Sequence, residues 1–264
     1  MNIAVCIKQV PDSNEVRVDP ETKTMIRQGV ESIINPFDGY ALEEAVRIRE
    51  RLGEGKVTVI TMGPPQAEQA LREAIALGAD EAVLVTSRVF AGADTWATSL
   101  VLALALRKLN PDLILAGKQS VDSDTAQVGP GIACHMDLPQ TCYVSKIREI
   151  AKGRAVVERL LDTGKEVLEV ELPAVFTVVK EINEPRLPSF KGKMRAKKAE
   201  ITVWDENAIG ARTEDVGLTG SPTMVSDVYN PPRREGGGEM IEAESAAEAA
   251  KIVVGKLRDL KLAR

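Results

Sequence analysis

The chain has 264 residues, of which 44% are hydrophobic and 28% charged, with a formal net charge of −5. That balance suits a soluble globular protein and argues against nucleic-acid binding, which needs a basic face; no run of about 18 apolar residues marks a membrane span. Three cysteines (Cys6, Cys134, Cys142) and one histidine (His135) fit neither a disulfide framework nor a zinc or iron–sulfur site, so no metal ligand set is expected, and with no histidine-paired nucleophile motif any redox chemistry falls to a cofactor.

The first 145 residues alternate strand and helix patterns. Ile3 to Ile7 is a short apolar run, read as a buried strand. It is too short for a signal-peptide core and runs directly into Lys8-Gln9-Val10-Pro11, so a cytoplasmic protein is expected. Val16 and Val18, the turn Asp19-Pro20-Glu21-Thr22 and Met25-Ile26 read as an inserted hairpin. Asn35-Pro36 is a cap followed by proline at the first helical position. Ala41, Ala45, Ile48 and Leu52 then recur at helical spacing up to Gly53. Val57 to Thr61, Ala82 to Val85 and Leu113 to Ala116 are further buried strands. Helices fill the gaps, from about Gln66 to Leu77 and from Asp94, as cap, to Leu109. Repeated βαβ units with short loops mean a parallel sheet with helices on both faces.

After Pro139 the rhythm changes. Tyr143 to Ile147, Ala155 to Leu161 and Val167 to Leu172 alternate apolar and polar residues, as antiparallel strands with one wet face do, and Ala174 to Val179 is continuously apolar. Lys191, Lys193, Arg195, Lys197 and Lys198 form a basic run, either a solvated loop or lysine-guarded strand edge, or a docking surface. Pro231-Pro232 and Gly236-Gly237-Gly238 mark a linker. Ser245 to Glu248 is a capping box opening a last helix with an apolar stripe of Ala249, Val253, Leu257 and Leu260. The expected division is an α/β domain over residues 1–230 and a linker with a C-terminal arm helix over 231–264.

In an open parallel sheet, ligands sit beyond the carboxyl ends of the strands, where strand order reverses. The richest such loop runs from Gly117 to Gly129 and enters a helix, where backbone amides can receive a phosphate. Thr125 and Gln127 add donors, and Gly129 permits close approach. Asp122 and Asp124 would repel a phosphate, and read instead as helix caps or acceptors for ribose hydroxyls and loop amides. A calcium loop fails for want of its glycine and glutamate, and no GxGxxG or Walker sequence is present. A well-capped surface turn is the rival reading.

Gly117-Lys118-Gln119 followed by Asp122, Asp124 and Gln127 resembles the nucleotide loop of electron-transfer flavoprotein β subunits. Val5 to Pro11, Asn35-Pro36-Phe37-Asp38, Gly78-Ala79-Asp80, Glu158-Arg159 through Val175, Asn183 to Arg186 and Met194 to Lys198 match the family in the same order, up to about residue 204. The resemblance implies a doubly wound parallel α/β sheet of the adenine nucleotide hydrolase-like kind with strand order 3-2-1-4-5. The ends of the first and fourth strands, at Cys6 and at Gly117-Lys118, would then flank the switch point. It also implies an α-subunit partner. One type of the family holds AMP in this subunit and FAD on the α subunit. The other carries its own FAD here, takes electrons from NADH and splits them between ferredoxin or flavodoxin and a second acceptor, acyl-CoA dehydrogenase-like or quinone-linked, by electron bifurcation. Thr61-Met62-Gly63-Pro64-Pro65 and Gly92 to Thr98 are similar to the second type. The residues this resemblance nominates for the cofactor are Cys6, Asn35, Asp38, Met62, Gly63, Asp94, Thr95, Thr98, Lys118, Gln119, Asp122, Asp124, Thr125, Ala126, Gln127, Val128 and Gly129. For partner docking it nominates Phe190, similar to an apolar anchor in the family's recognition loop, with Lys193, Arg195, Lys197 and Lys198. Outside the family, the competing reading is a stand-alone ATP- or AMP-binding regulator.

Overall fold

The computed structural model describes residues 1–12, 32–227 and 238–263, which fall into two compact units, Met1–Asp227 and Val228–Arg264. The hairpin expected around Val16 to Ile26 lies outside the described residues. In chain order the first unit has β1 (Asn2–Cys6), β2 (Gln9–Pro11), β3 (Ser32–Ile34), α1 (Pro36–Leu52), β4 (Lys56–Met62), α2 (Glu68–Leu77), β5 (Glu81–Val85), α3 (Thr95–Leu109), β6 (Leu113–Gly117) and α4 (Val128–Met136). It continues with β7 (Gln140–Ala151), β8 (Arg154–Leu161), β9 (Gly164–Glu171), β10 (Ala174–Val178), α5 (Phe190–Lys198) and β11 (Thr202–Trp204). The second unit holds α6 (Ala246–Asp259).

A nine-stranded sheet runs in the order β11-β5-β4-β1-β6-β10-β7-β8-β9. Its parallel middle, β5-β4-β1-β6-β10, is the 3-2-1-4-5 order of a doubly wound domain. These strands are short and apolar because helices cover both faces: Ile3, Val5, Leu113, Leu115 and Phe176 join one core, and Ala4, Ile60, Ile114 and Val175 the other. β7 starts parallel to β10 and then pairs antiparallel with β8, which pairs with β9. Here burial partly alternates, as expected for strands with a wet face: Ile147 is buried between exposed Lys146 and Arg148, and Ala155 and Val157 are buried two residues apart on β8. Among the described residues no helix is long and apolar enough to cross a membrane.

Three helical expectations shift. The helix expected from Gln66 opens with a 3-10 turn, Pro65–Ala67, and becomes α-helical at Glu68. Asn35 occupies the N-cap position of α1 but makes no side-chain cap bond there; its carboxamide is engaged elsewhere, as described below. The basic run is neither a loop nor a strand edge but helix α5, opened by Ser189, whose hydroxyl accepts from Gly192 N at 3.0 Å. Its composition hid it, since Ala196 is its only buried residue. Reciprocal guanidinium contacts hold it to α2. Arg72 of α2 donates to the carbonyls of Ala196 (2.8 Å) and Ala199 (3.1 Å). Arg195 of α5 donates to those of Ile75 (2.6 Å) and Ala79 (2.8 Å). Each arginine binds carbonyls at the other helix's C-terminal end. In the second unit, Ser245 accepts from Glu248 N at 3.3 Å and opens α6.

α5 approaches α2 so closely that a Cβ on Gly192 would lie 2.2 Å from the Ala76 carbonyl oxygen. Backbone cannot yield there, so Gly192→Ala is expected to lower unfolding stability by about 1–3 kcal/mol. Urea titration of the purified protein checks it, and an unchanged midpoint would mean that α5 is not seated on α2.

Candidate nucleotide site

Strand order reverses between β1 and β6, and the backbone amides of Lys8, past the end of β1, and of Gly117, the last residue of β6, need acceptors. One side chain serves both. Asp38, in the first turn of α1, accepts from Lys8 N at 2.8 Å and from Gly117 N at 3.1 Å. Gly117 has to be glycine for this, because a Cβ would sit 2.5 Å from the Asp38 carboxylate and 2.6 Å from the Phe37 carbonyl carbon. Burial is the largest influence on Asp38 and pushes its pKa up to about 7, against the hydrogen bonds from Lys8, Asn35 and Gly117. Cys6, next to it on β1, is buried too; burial and the nearby Asp38 charge push its thiol up to about 12, so it stays a thiol at neutral pH.

The loop beyond β6 is tied down from two sides. Asn35 Nδ2 donates to the Gln119 carbonyl at 2.9 Å, and its Oδ1 accepts from Val121 N at 3.1 Å. Lys8 Nζ donates to Asp122 at 2.7 Å, Ser123 at 3.2 Å and Ser120 at 3.4 Å. Burial alone would raise Asp122, but the Lys8 hydrogen bond and charge take it below the ordinary carboxylate range. The Lys118 ammonium lies 4.9 Å from the centre of the Phe37 ring. Gln119 donates through its side chain to Asp124. Neither aspartate caps α4, as had been an option: Asp122 is taken by Lys8 and Asp124 by Gln119. The N-cap residue of α4 is Gln127, which makes no side-chain cap bond. Asp124 and Ala126 adopt positive φ, 56° and 55°, and turn the chain into that helix. A helix start with backbone amides and no side-chain cap, behind an ordered loop with Thr125 and Gln127 exposed, fits a phosphate-bearing group. Gly129 faces the sheet, since a Cβ would lie 2.4 Å from Thr177 Cγ2; Gly131 meets Ser99 Oγ at 2.5 Å. These two glycines let α4 pack against β10 and α3, which is reason enough for both.

Met62 and Gly63 lie at the end of β4, with Gly63 N bonded to the Val85 carbonyl at 3.1 Å. Asp94 caps α3 through Ala97 N at 3.0 Å. Its other oxygen accepts from Thr223 N (3.0 Å) and Thr223 Oγ1 (2.7 Å), and its own N–H donates to Ser221 Oγ at 2.8 Å. Burial would raise Asp94, but these bonds bring it below the ordinary range. Its carboxylate is therefore spent on the fold, and Thr95 and Thr98 remain as half-buried hydroxyls at that helix start. The long-range ties of Asp94 run to Ser221 and Thr223, whereas Asn35, Asp38, Gln119, Asp122 and Asp124 form one connected cluster with Lys8, and Lys118 stands beside it on the Phe37 ring.

Lys8, Ser120, Ser123, Ser221 and Thr223 were not singled out from the sequence. Lys8 could have been, because it directly follows the strand at the switch point. Among the docking candidates, Phe190 is 83% exposed, and Leu187, also passed over, is 90% exposed. Leu187 follows an anchored segment. Asn183 donates to the Tyr40 carbonyl at 3.0 Å and to Glu44 at 3.1 Å, and Arg186 pairs with Glu43 (2.8 Å) and Glu50 (2.7 Å). Lys193, Lys197 and Lys198 are exposed, but Arg195 is committed to α2.

The raised Asp38 pKa carries a sign. Between about pH 4 and pH 7 the folded protein keeps a proton that the unfolded chain has lost, so this group's contribution to stability falls as pH rises. In Asp38→Asn that dependence is absent. Unfolding free energies measured from pH 4 to 8 should show wild type losing roughly 1 kcal/mol per pH unit relative to the variant across this window. Parallel profiles would place the Asp38 titration elsewhere.

Comparison with known proteins gives the site its context. Residues 22–209 match the family described as "Electron transfer flavoprotein domain". The chain is 52% identical over 258 residues to "Electron transfer flavoprotein subunit beta" of Thermoanaerobacterium thermosaccharolyticum, covering 97% of this chain and 98% of that one. It is 50% identical over 260 residues to "Caffeyl-CoA reductase-Etf complex subunit CarD" of Acetobacterium woodii, with 98% of both chains covered. It is 48% identical over 262 residues to "Protein FixA" of Azotobacter vinelandii, covering 95% of this chain and 93% of that one. With its doubly wound sheet and these near full-length matches, the chain belongs to the electron transfer flavoprotein family, among its β subunits.

Proposed function

We propose that this chain works as a heterodimer with an α subunit, holds an FAD of its own, accepts electrons from NADH and divides them between two acceptors. One acceptor is ferredoxin or flavodoxin; the other is acyl-CoA dehydrogenase-like or quinone-linked. The observation that carries the reading is the ordered loop after β6 leading into the N-terminus of α4, which has no side-chain cap. Similarity to a subunit of a caffeyl-CoA reductase–Etf complex supports an acceptor that handles acyl-CoA thioesters.

FAD, when bound, supplies hydride acceptance and one-electron transfer. The residues of the chain bind, orient and exclude. The amides of Val128 and Gly129, with Thr125 and Gln127, receive the diphosphate. Met62 and Gly63 form a low-bulk rim at the end of β4 that leaves room for a nicotinamide, and Thr95 and Thr98 orient a ring at the start of α3. No acid–base residue is required for hydride to reach a flavin. A second reading, AMP held here and the only FAD on the α subunit, gains weight at Asp94, a residue nominated for the FAD-carrying type, because its carboxylate is already used by Ala97 and Thr223.

Cofactors released from the purified heterodimer separate the two. The first reading expects a flavin on each subunit and rapid bleaching by NADH in anaerobic stopped flow. A complex with AMP beside a single flavin, not reduced by NADH, gives the second. In Gly63→Trp, bleaching should be lost while FAD content stays.

Leu187, just before the solvated basic helix α5, and Phe190, its first residue, offer two exposed apolar side chains, the form of a small transient interface. Leu187→Ala with Phe190→Ala is expected to slow electron transfer to an acyl-CoA dehydrogenase-type acceptor about tenfold at unchanged cofactor content. Equal rates would remove this surface from the docking reading.

A further inference from the structure

The geometry points to Asn35 and Asp38 as positioning residues that preset the loop 117–124 before any nucleotide arrives, and not as ligands of the nucleotide. The inference rests on the reading of that loop as the nucleotide site.

Both side chains are buried, Asn35 at 1% exposure and Asp38 at 6%, and both ends of each are occupied by backbone. Asp38 holds Lys8 N and Gly117 N. Asn35 holds the Gln119 carbonyl and Val121 N. On the loop the contacts fall at 117, 119 and 121, from the last residue of β6 to the start of the turn that leads toward α4. Two side chains of one helical turn thus supply the hydrogen bonds that no neighbouring strand offers there. This explains why Asn35 forgoes capping its own helix. It also explains why Gly117 tolerates no Cβ. From the other side, Lys8 takes Ser120, Asp122 and Ser123, so 117 and every position from 119 to 123 is held by one of these three residues. A loop ordered in advance spares the ligand the entropy of ordering it, and its loss reduces apparent affinity by the fraction of time the loop is out of place.

The test uses the full chain co-purified with its α subunit and stripped of nucleotide. Amide hydrogen exchange is read at 117–124, and AMP and FAD are titrated separately. In Asn35→Ala, exchange at Gly117 and Val121 in the stripped complex should accelerate at least tenfold. Dissociation constants for AMP or FAD should rise about tenfold, on the scale of one or two lost hydrogen bonds. The loaded complex should regain wild-type protection. Weaker binding with unchanged exchange in the stripped state would make Asn35 a direct ligand and overturn the inference. Acceleration spread through α1 and the sheet would reduce it to general destabilisation and overturn it as well, as would unchanged affinity. Should Asn35→Ala fail to assemble, Asn35→Asp keeps the acceptor for Val121 N, removes the donor to the Gln119 carbonyl and is expected to accelerate exchange across 117–121 in the stripped complex; unchanged exchange there would overturn the inference. If wild type binds neither AMP nor FAD, the nucleotide reading falls, while loop exchange still decides whether the template exists.

Discussion

Where the order of a parallel sheet reverses, two adjacent strands end with amides that no third strand can pair, and in this protein a single buried carboxylate takes both. Asp38 joins the exit of β1 to the exit of β6. A carboxylate suits the task because it only accepts, and both its partners are N–H donors. The cost is burial of a charge, visible in the raised pKa of Asp38 and in the unreactive Cys6 thiol beside it. Asparagine at position 38 would turn one N–H toward another N–H, so the chemistry of the crevice leaves little freedom there. The Asn35 contacts, the Lys8 ties and the turn into α4 all begin from the strand ends that Asp38 joins.

The parallel half of the fold was legible in the sequence, because short apolar runs separated by helices of period 3.6 have few other solutions, and strands β1, β4, β5 and β6 were found within a residue or two. The antiparallel strands were legible for a different reason, their period of two. Helix α5 was not. Its stability comes from the Ser189 cap and from Arg72 and Arg195, contacts between residues more than a hundred positions apart, and its apolar content is too small to show a stripe. The loop after β6 stands out in the sequence by its place after a central strand, but the duties of its residues do not. Asn35 has the sequence signature of a helix cap, and only the approach of 119–121 reveals why it serves another backbone. Asp122 and Asp124 look like caps or ligand acceptors until Lys8 and Gln119 are seen to take them. Asp94 was read correctly as a cap, while its second oxygen answers to Thr223, 129 residues away. A side chain's local role is written in its neighbours along the chain; its long-range role is written in the topology, which single-sequence patterns do not contain.

The same helix that shapes the loop after β6 also fixes the exposed apolar segment. The N-terminal turn of α1 gives Asn35 and Asp38 to the loop. Its body gives the Tyr40 carbonyl and Glu44 to Asn183, and Glu43 and Glu50 to Arg186. Burial would raise Glu43, but the Arg186 and Arg47 hydrogen bonds hold it below its ordinary range. Glu44, which accepts from Asn183, is raised by burial. The segment that ends in Leu187 is thus bolted to a rigid rod whose other end sits against the loop after β6. Rods of this kind transmit position rather than motion: the distance between the exposed apolar side chains and that loop is set by α1 and not by the flexibility of a loop. Conversely, a change that tilts α1 would disturb both places at once. Variants that affect only one of them are therefore to be sought at the tips, in the exposed Leu187 and Phe190 or in the loop beyond Val121.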